Sequence, residues 1–465
     1  MLLRTTVQSF GDKISVTVTL DQAGKKNVTL VNRENQGSRQ ELIGLEDRAF
    51  NALVGALLIQ ETREELARTG RPTDNADAYD AYLQGRNVLR GRRDAANLKS
   101  ALAFFETAIK SDPQFALALT GRADACLLMY DATRNASWVE QAQLAAQAAE
   151  GYKPDLPEVH SSLGSVYQYQ GKFPEAISEL KQAVAMLPNS DECLRRLGVA
   201  YSRSGQQQLA IDTLQKAIGK NPYLWLNRNF LGQVYKNSGQ YDKALEEYHE
   251  VTRLEPNLPT GFVNMGVVHL LQGKWSECIP EFEQAIRFDP KPLYYSNRGV
   301  AYFYTGHYAE AAKDFEVAVK NNPNDAGYRV NLGDAYRAAG QTAQAAANYD
   351  AAIKLAAKTL EVNPNNLDAL HNQAIAYAKT GNTNTALRLI QRARKIDAKD
   401  TELMYHEATI YALANRTADA VASLKEALQN HYSLDIVNHD PELAALRSTP
   451  QCQSLLQAFA NQPVK

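Results

Sequence analysis

The sequence predicts an all-α fold, a right-handed solenoid of stacked helical hairpins, preceded by a small α+β piece. Two observations predict the solenoid. A small residue recurs about every 34 residues over most of the chain, and an aromatic residue, a turn residue and a second small residue follow it at constant distances. A fixed period of this length indicates repeated supersecondary units. The length of 465 residues agrees, because single hydrophobic cores stop growing well below that size.

The composition is that of a folded protein, with 45% hydrophobic and 22% charged residues. Fifty basic and 52 acidic residues give a net charge of −2, which argues against nucleic acid as a partner, because phosphate binding needs excess positive charge. The longest apolar run, residues 52–59, is too short to span a bilayer, so no membrane segment is expected. We expect a soluble chain, cytoplasmic as it stands, and periplasmic or extracellular if it belongs to a larger membrane-anchored protein.

Four columns of residues carry the period. The small residues are spaced 34, 34, 34, 33, 34, 41 and 34 positions apart, at Gly164, Gly198, Gly232, Gly266, Gly299, Gly333, Ala374 and Ala408. An aromatic ring follows each three positions later, at Tyr167, Tyr201, Tyr235, His269, Tyr302, Tyr336, Tyr377 and Tyr411. Turn residues follow at Gly171, Gly205, Gly239, Gly273, Gly306, Gly340, Gly381 and Asn415, and the second small residues at Ala176, Ala210, Ala244, Cys278, Ala311, Ala345, Ala386 and Ala420.

These columns have a direct physical reading. Small residues in both halves of a unit let two helices approach closely, and a glycine between them permits the positive φ of a tight turn. Each unit is therefore predicted to be a helical hairpin. One hairpin cannot bury its apolar face alone, so neighbouring units must stack.

The pattern resembles the tetratricopeptide repeat (TPR) family over residues 155–430, and the resemblance implies eight TPR repeats in a superhelix. Two degenerate units are expected over residues 77–154 and a helical cap over 431–465.

The 41-residue spacing places seven extra residues, about 356–362, in the second helix of one repeat. The family resemblance also implies a scaffold that binds a partner protein or an extended peptide in its groove.

The first seventy residues differ in kind. Alternating apolar residues predict strands near residues 3–7, 14–20 and 28–31, and apolar residues at helical spacing predict a helix over 50–58. We expect this piece of three strands and one helix to be an incomplete domain, because the outer edge of its first strand has no obvious partner.

This piece resembles part of a TolB/FlgO-like domain, which precedes TPR arrays in bacterial signalling proteins. The residues that carry the likeness are Ser9-Phe10-Gly11-Asp12-Lys13-Ile14-Ser15-Val16 and, at the junction, Tyr79-Asp80-Ala81-Tyr82-Leu83-Gln84-Gly85-Arg86. The resemblance implies an alternative function, in which the chain is the detached sensor region of a receptor-type Ser/Thr kinase or of a transcriptional regulator.

Motifs that would carry catalysis are missing from the sequence. It contains no phosphate-binding glycine loop, no kinase catalytic loop and no GxSxG motif. The four cysteines are more than 65 residues apart, and the eight histidines show no metal-ligand spacing. We therefore expect no catalytic residues, no cofactor and no metal, and an enzyme hidden in the groove is the least favoured hypothesis.

The candidate binding residues lie on the first helix of each repeat. Two positions before the small residue, four consecutive repeats carry an amide, at Asn264, Asn297, Asn331 and Asn372. This ladder resembles that of the O-GlcNAc transferase superhelix, where such amides contact the backbone of an extended peptide. An amide both donates and accepts hydrogen bonds, so it pairs with peptide groups whatever their side chains. The alternative is that each Asn bonds the neighbouring repeat and contributes to stability.

Charged and aromatic residues are expected around the ladder on the same face. They are Arg195, Arg196, Phe230, Lys236 and Arg337, together with Lys379. Arginine and aromatic side chains are frequent anchors in binding sites. The predicted ligand is therefore extended and acidic, and the oligomeric state stays open.

Overall fold

A computed structural model describes residues 2–10, 13–21, 29–38, 73–90, 95–133 and 135–460. The chain divides into two compact units, Met1–Leu187 and Pro188–Lys465, which are treated separately below. None of the described helices is both long enough and apolar enough to cross a lipid bilayer.

Three strands precede the helices in the first unit. They are β1 (Leu2–Phe10), β2 (Lys13–Asp21) and β3 (Thr29–Ser38), paired antiparallel in the order β1-β2-β3. The register between β2 and β3 shifts between Leu20 and Asp21. The helix predicted over 50–58 lies outside the described residues, so an α+β domain in the first seventy residues stays a prediction.

Within the described residues, six helices of the first unit follow the strands. They are α1 (Ala76–Arg90), α2 (Ala95–Ser111), α3 (Ala116–Thr133), α4 (Ser137–Tyr152), α5 (Pro157–Tyr169) and α6 (Phe173–Met186). They pair as consecutive hairpins, α1 with α2, α3 with α4 and α5 with α6. Phe105 is fully buried, and its ring fills the space that Gly85 and Gly121 leave open.

The second unit begins with seven further hairpins. Their helices are α7 (Asp191–Arg203), α8 (Gln207–Lys220), α9 (Trp225–Asn237), α10 (Tyr241–Leu254), α11 (Pro259–Leu271), α12 (Trp275–Phe288), α13 (Pro292–Tyr304), α14 (Tyr308–Asn321), α15 (Ala326–Ala338), α16 (Thr342–Val362), α17 (Leu367–Lys379), α18 (Thr383–Ile396), α19 (Thr401–Leu413) and α20 (Thr417–Gln429). Odd-numbered helices are the first helices of the repeats, and even-numbered helices are the second. The prediction of an all-helical repeat solenoid is confirmed.

The hairpin turns have the backbone geometry that the glycine column predicts. Gly205 has a φ of 81° and Gly381 a φ of 87°, while Asn415, the one non-glycine in the column, has a φ of 57°. At the first of these turns, the Lys172 N–H donates to the Tyr167 carbonyl at 2.9 Å. This bond satisfies a carbonyl that the helix end would otherwise leave unpaired.

The small-residue columns lie where the two helices of a hairpin touch. A Cβ atom on Gly232 would stand 2.6 Å from the ring of Tyr248, which is fully buried. The alanines of the facing helix, such as Ala244, are fully buried as well. The two helices of a hairpin therefore pack closely through their small residues, as the sequence predicted.

The long spacing lengthens one helix, as predicted. α16 has 21 residues, whereas the equivalent helix α14 has 14. The extra turns end at Val362, which is 87% exposed.

The chain continues past α20 through short helical pieces. They are α21 (Leu434–His439), a 3-10 turn (Pro441–Leu443), α22 (Ala444–Arg447) and α23 (Pro450–Ala460). α23 packs against α20, and Leu443, Leu446 and Cys452 are buried in the same apolar cluster as Leu424.

Candidate functional site

The candidate site is the surface formed by the odd-numbered helices α7 to α19 of the second unit, here called the first-helix face. All ten residues predicted from the sequence for this face belong to these helices. Each of these residues is half-buried. Half-buried polar groups remain within reach of a ligand while their positions are fixed by packing.

The four Asn residues of the ladder have different partners. Asn264 donates from Nδ2 to Oδ1 of Asn229 on the preceding first helix, at 2.7 Å. Among the described residues, the side-chain amides of Asn297, Asn331 and Asn372 have no hydrogen-bond partner. Asn264 therefore joins two repeats, whereas the other three amides bond no other residue of the described chain.

The charged and aromatic residues at the start of the face interact with one another. The Arg195 guanidinium lies 5.9 Å from the centre of the Phe230 ring. Arg196 forms an ion pair with Glu192, one turn away on α7, at 2.6 Å. This part of the face therefore contains a cation–π contact between Arg195 and Phe230 and an ion pair between Arg196 and Glu192.

Lys236 differs from these arginines. Burial lowers the pKa of its ammonium group. Within the ranges that the structure describes, no carboxylate lies within ion-pair distance of it. An anionic group next to this half-buried amine would stabilise its charged form, because an opposite charge offsets the loss of hydration that burial causes.

Arg337 and Lys379 have an intramolecular partner that the sequence did not indicate. Glu442, in the 3-10 turn after the repeats, forms ion pairs with both of them, and its Oε1 lies 2.7 Å from Lys379 Nζ. Lys379 also lies 3.0 Å from Asp334 of α15. Burial lowers the pKa of Lys379, and the carboxylate of Asp334 counteracts this shift. Two of the predicted groove cations, Arg337 and Lys379, are thus paired with carboxylates of the chain itself.

Residues 433–446, which include Glu442, are here called the C-terminal segment. Several of them contact the first-helix face. Asp440 accepts a hydrogen bond from the buried hydroxyl of Tyr405 on α19. Asp435 packs directly against Gly273, where a Cβ atom would come within 2.6 Å of it. Tyr405 in turn stacks on Tyr432, with ring centres 4.4 Å apart. The segment therefore contacts positions from the turn between α11 and α12 to α19.

A groove of about 430 Å³ lies between the C-terminal segment and the face, where Phe303 and Arg337 face Glu442 and Ala445. Burial raises the pKa of Asp440, because removal from water disfavours the charged carboxylate.

A second group of side chains escaped the sequence analysis. His371 of α17 and Glu402 and His406 of α19 each place one potential ligand atom within 4.8 Å of the others. Motif spacing misses this cluster because its members come from two repeats. The signal that could have found it is the repeat period itself, since His371 and His406 are 35 positions apart.

Comparison with protein families identifies the repeats. Models described as tetratricopeptide repeat match residues 162–224 and 371–432, residues 292–325 and residues 326–399. A further model described as TPR repeat matches residues 232–273. Together the matches cover more than half of the chain. The chain is a tetratricopeptide repeat protein.

Several solved structures resemble parts of this TPR protein. A tetratricopeptide repeat protein from Parabacteroides merdae is 16% identical and has a TM-score of 0.39, with 56% of this chain and 98% of that chain covered. PilF from Pseudomonas aeruginosa is 18% identical, with a TM-score of 0.38 and coverage of 47% and 96%. A human IFIT1 dimer with m7Gppp-AAAA is 18% identical, with a TM-score of 0.46 and coverage of 77% and 80%.

The family assignment rests on the sequence models and the repeat geometry, because these structural overlaps are partial. No curated protein matches the chain. None of the family-model matches falls before residue 162, and no comparison supports the TolB/FlgO-like resemblance or the sensor alternative built on it.

Proposed function

We propose that this TPR protein is an interaction scaffold whose first-helix face binds an acidic segment of a partner protein. TPR repeats generally mediate protein–protein interactions. The observation that carries the proposal is the contact of Glu442 with Arg337 and Lys379. It is an example, within the chain, of an acidic peptide segment held on that face.

Charge complementarity supports an acidic ligand. The C-terminal segment carries three carboxylates, Asp435, Asp440 and Glu442, and no lysine or arginine. Its contacts on the face include the cations of Arg337 and Lys379. Charge-assisted hydrogen bonds of this kind are roughly twice as strong as neutral ones. A partner with similarly spaced carboxylates would make the same contacts.

The amides of Asn297, Asn331 and Asn372 supply the second element of recognition. They stand at the same position of three consecutive repeats and have no partner within the described chain. Amides spaced along the face can pair with backbone groups of an extended segment, independently of its side chains. The cations would then select acidic sequences, while the amides hold the backbone.

Occupation by the C-terminal segment sets a condition on binding. A partner that uses Arg337 and Lys379 must displace Glu442, so its apparent affinity is reduced by the fraction of molecules in which the segment is bound. A partner that begins at Lys236 and the Asn ladder can start to bind before that displacement. The segment is thus proposed to act as a competitor built into the chain.

The ladder is tested with the double variant Asn297→Ala/Asn331→Ala and with a partner captured on the wild-type chain and then purified. Loss of two amides that bond the partner is expected to weaken binding by about 1–3 kcal/mol, because partner groups would be left unpaired. The melting temperature should stay unchanged. Isothermal titration calorimetry and thermal denaturation are measured on the same protein.

A matched control is Asn321→Ala, an exposed amide on the second helix α14. It should alter neither quantity by more than the error of measurement. A double variant that melts earlier and binds its partner normally would show that the amides act in stability, and this proposal for the ladder would be abandoned.

A further inference from the structure

His371, Glu402 and His406 form a compact group on the first-helix face. His371 lies on α17, and the other two lie one turn apart on α19, so that they project from the same side of that helix. The two imidazole rings have their centres 4.5 Å apart. His406 Nε2 lies 3.8 Å from Glu402 Oε1. Three side chains with strong metal-ligand atoms thus converge on one point.

One atom of this group is unexplained by the packing of the repeats. His371 Nε2 is buried and has no hydrogen-bond partner. Leaving a buried polar atom unpaired costs about 1–3 kcal/mol. Native proteins rarely retain such an atom, and an ion that is not itself part of the chain is one of the recognised reasons for it.

We propose that His371, Glu402 and His406 bind a divalent transition-metal cation of the Zn²⁺ class. Two imidazoles and one carboxylate are a donor set of zinc sites that keep a fourth position for water or another ligand. In such a site the ligand atoms are about 3.4 Å apart, given metal–ligand distances near 2.1 Å. The carboxylate of Glu402 is largely exposed and can move the remaining distance without disturbing the repeat core.

This site is independent of the proposed peptide binding, since it shares none of the Asn or cationic residues invoked there. A metal site differs in one measurable respect from a contact between the His371 and His406 rings that serves only the packing of the repeats. A purely structural pair contributes to packing whether or not metal is added. A metal site changes the stability of the protein only when the cation is present.

The test uses the full chain without a polyhistidine tag, freed of metal with a chelator and titrated with Zn²⁺ by isothermal titration calorimetry. One equivalent of Zn²⁺ should bind to this site and raise the melting temperature. His371→Ala, His406→Ala and Glu402→Gln should each weaken that binding by about tenfold or more, because loss of even an outer-shell partner has an effect of that size. Circular dichroism checks that each variant keeps its helices.

His249→Ala is the matched control, since this exposed histidine on α10 lies outside the group. It should leave Zn²⁺ binding unchanged. Glu402→Gln alters an exposed side chain and keeps its size, so it still reports on the site if a histidine variant fails to fold. No binding to the wild type, or binding that Glu402→Gln and a folded histidine variant leave unaltered, would overturn the proposal.

Discussion

At the scale of single residues, glycines decide how closely the helices of a hairpin approach. Gly232 on α9 faces the fully buried Tyr248, and a Cβ atom there would come within 2.6 Å of the ring. Gly219 on α8 has no atom within 4 Å of an added Cβ. The same chemical change therefore has opposite consequences at the two positions.

Gly232→Ala is expected to destabilise the protein by about 1–3 kcal/mol, because the Tyr248 ring would have to move within a close-packed core. Gly219→Ala should instead stabilise it by up to about 1 kcal/mol, since alanine favours the helix and meets nothing. Thermal denaturation followed by circular dichroism compares them. Hydrogen exchange should rise in the repeats around Gly232, and a Gly232→Ala protein as stable as the wild type would contradict the packing described here.

At the scale of elements, α11 and α12 are joined by a titrating pair. His269 Nδ1 lies 3.0 Å from Glu281 Oε2, with Glu277 3.8 Å from the other ring nitrogen. Burial, and secondarily the charge of Glu277, raises the pKa of Glu281 to about 8. Burial lowers the pKa of His269. The folded pair consequently keeps a proton on Glu281 up to about pH 8.

Between about pH 6.5 and pH 8 the unfolded chain has lost the protons of both side chains, whereas the folded pair retains one. Stability must fall as pH rises wherever the folded state binds more protons. The melting temperature is therefore expected to decrease across this range, and Glu281→Gln should remove the part of the decrease that this pair causes. Glu277→Gln, an exposed neighbour, should retain most of it. Identical pH profiles for wild type and Glu281→Gln would refute the assignment.

The hairpins could be predicted from the sequence, but the contacts between distant elements could not. The turn glycines, such as Gly205, and the facing small residues act within about thirty positions, so their spacing alone specifies a hairpin. Glu442 meets Arg337 across more than 100 positions, and no periodicity reports such a contact. His371 and His406 come together only because neighbouring repeats stack in register.

At the scale of the molecule, the second unit combines the proposed peptide-binding face with an acidic segment that lies on it. Arg337 and Lys379 were predicted as groove cations from the repeat pattern, and both contact Glu442. In the proposed function, this segment competes with a partner for the two cations. Removal of the competitor should expose the face, because the charge-assisted contacts that hold the segment contribute about 1.5–3 kcal/mol each.

The most direct measurement is the affinity of a labelled synthetic peptide with the sequence of residues 433–446 for the full chain, by fluorescence anisotropy. The wild type should bind it weakly, because its own segment occupies the face. Glu442→Ala should bind it at least about fivefold more tightly, since more molecules have the face open. Adding Arg337→Ala to Glu442→Ala should abolish the gain, and Glu310→Ala, an exposed carboxylate on α14, should behave as the wild type. Equal affinities for all four proteins would contradict the claim that this face binds acidic segments.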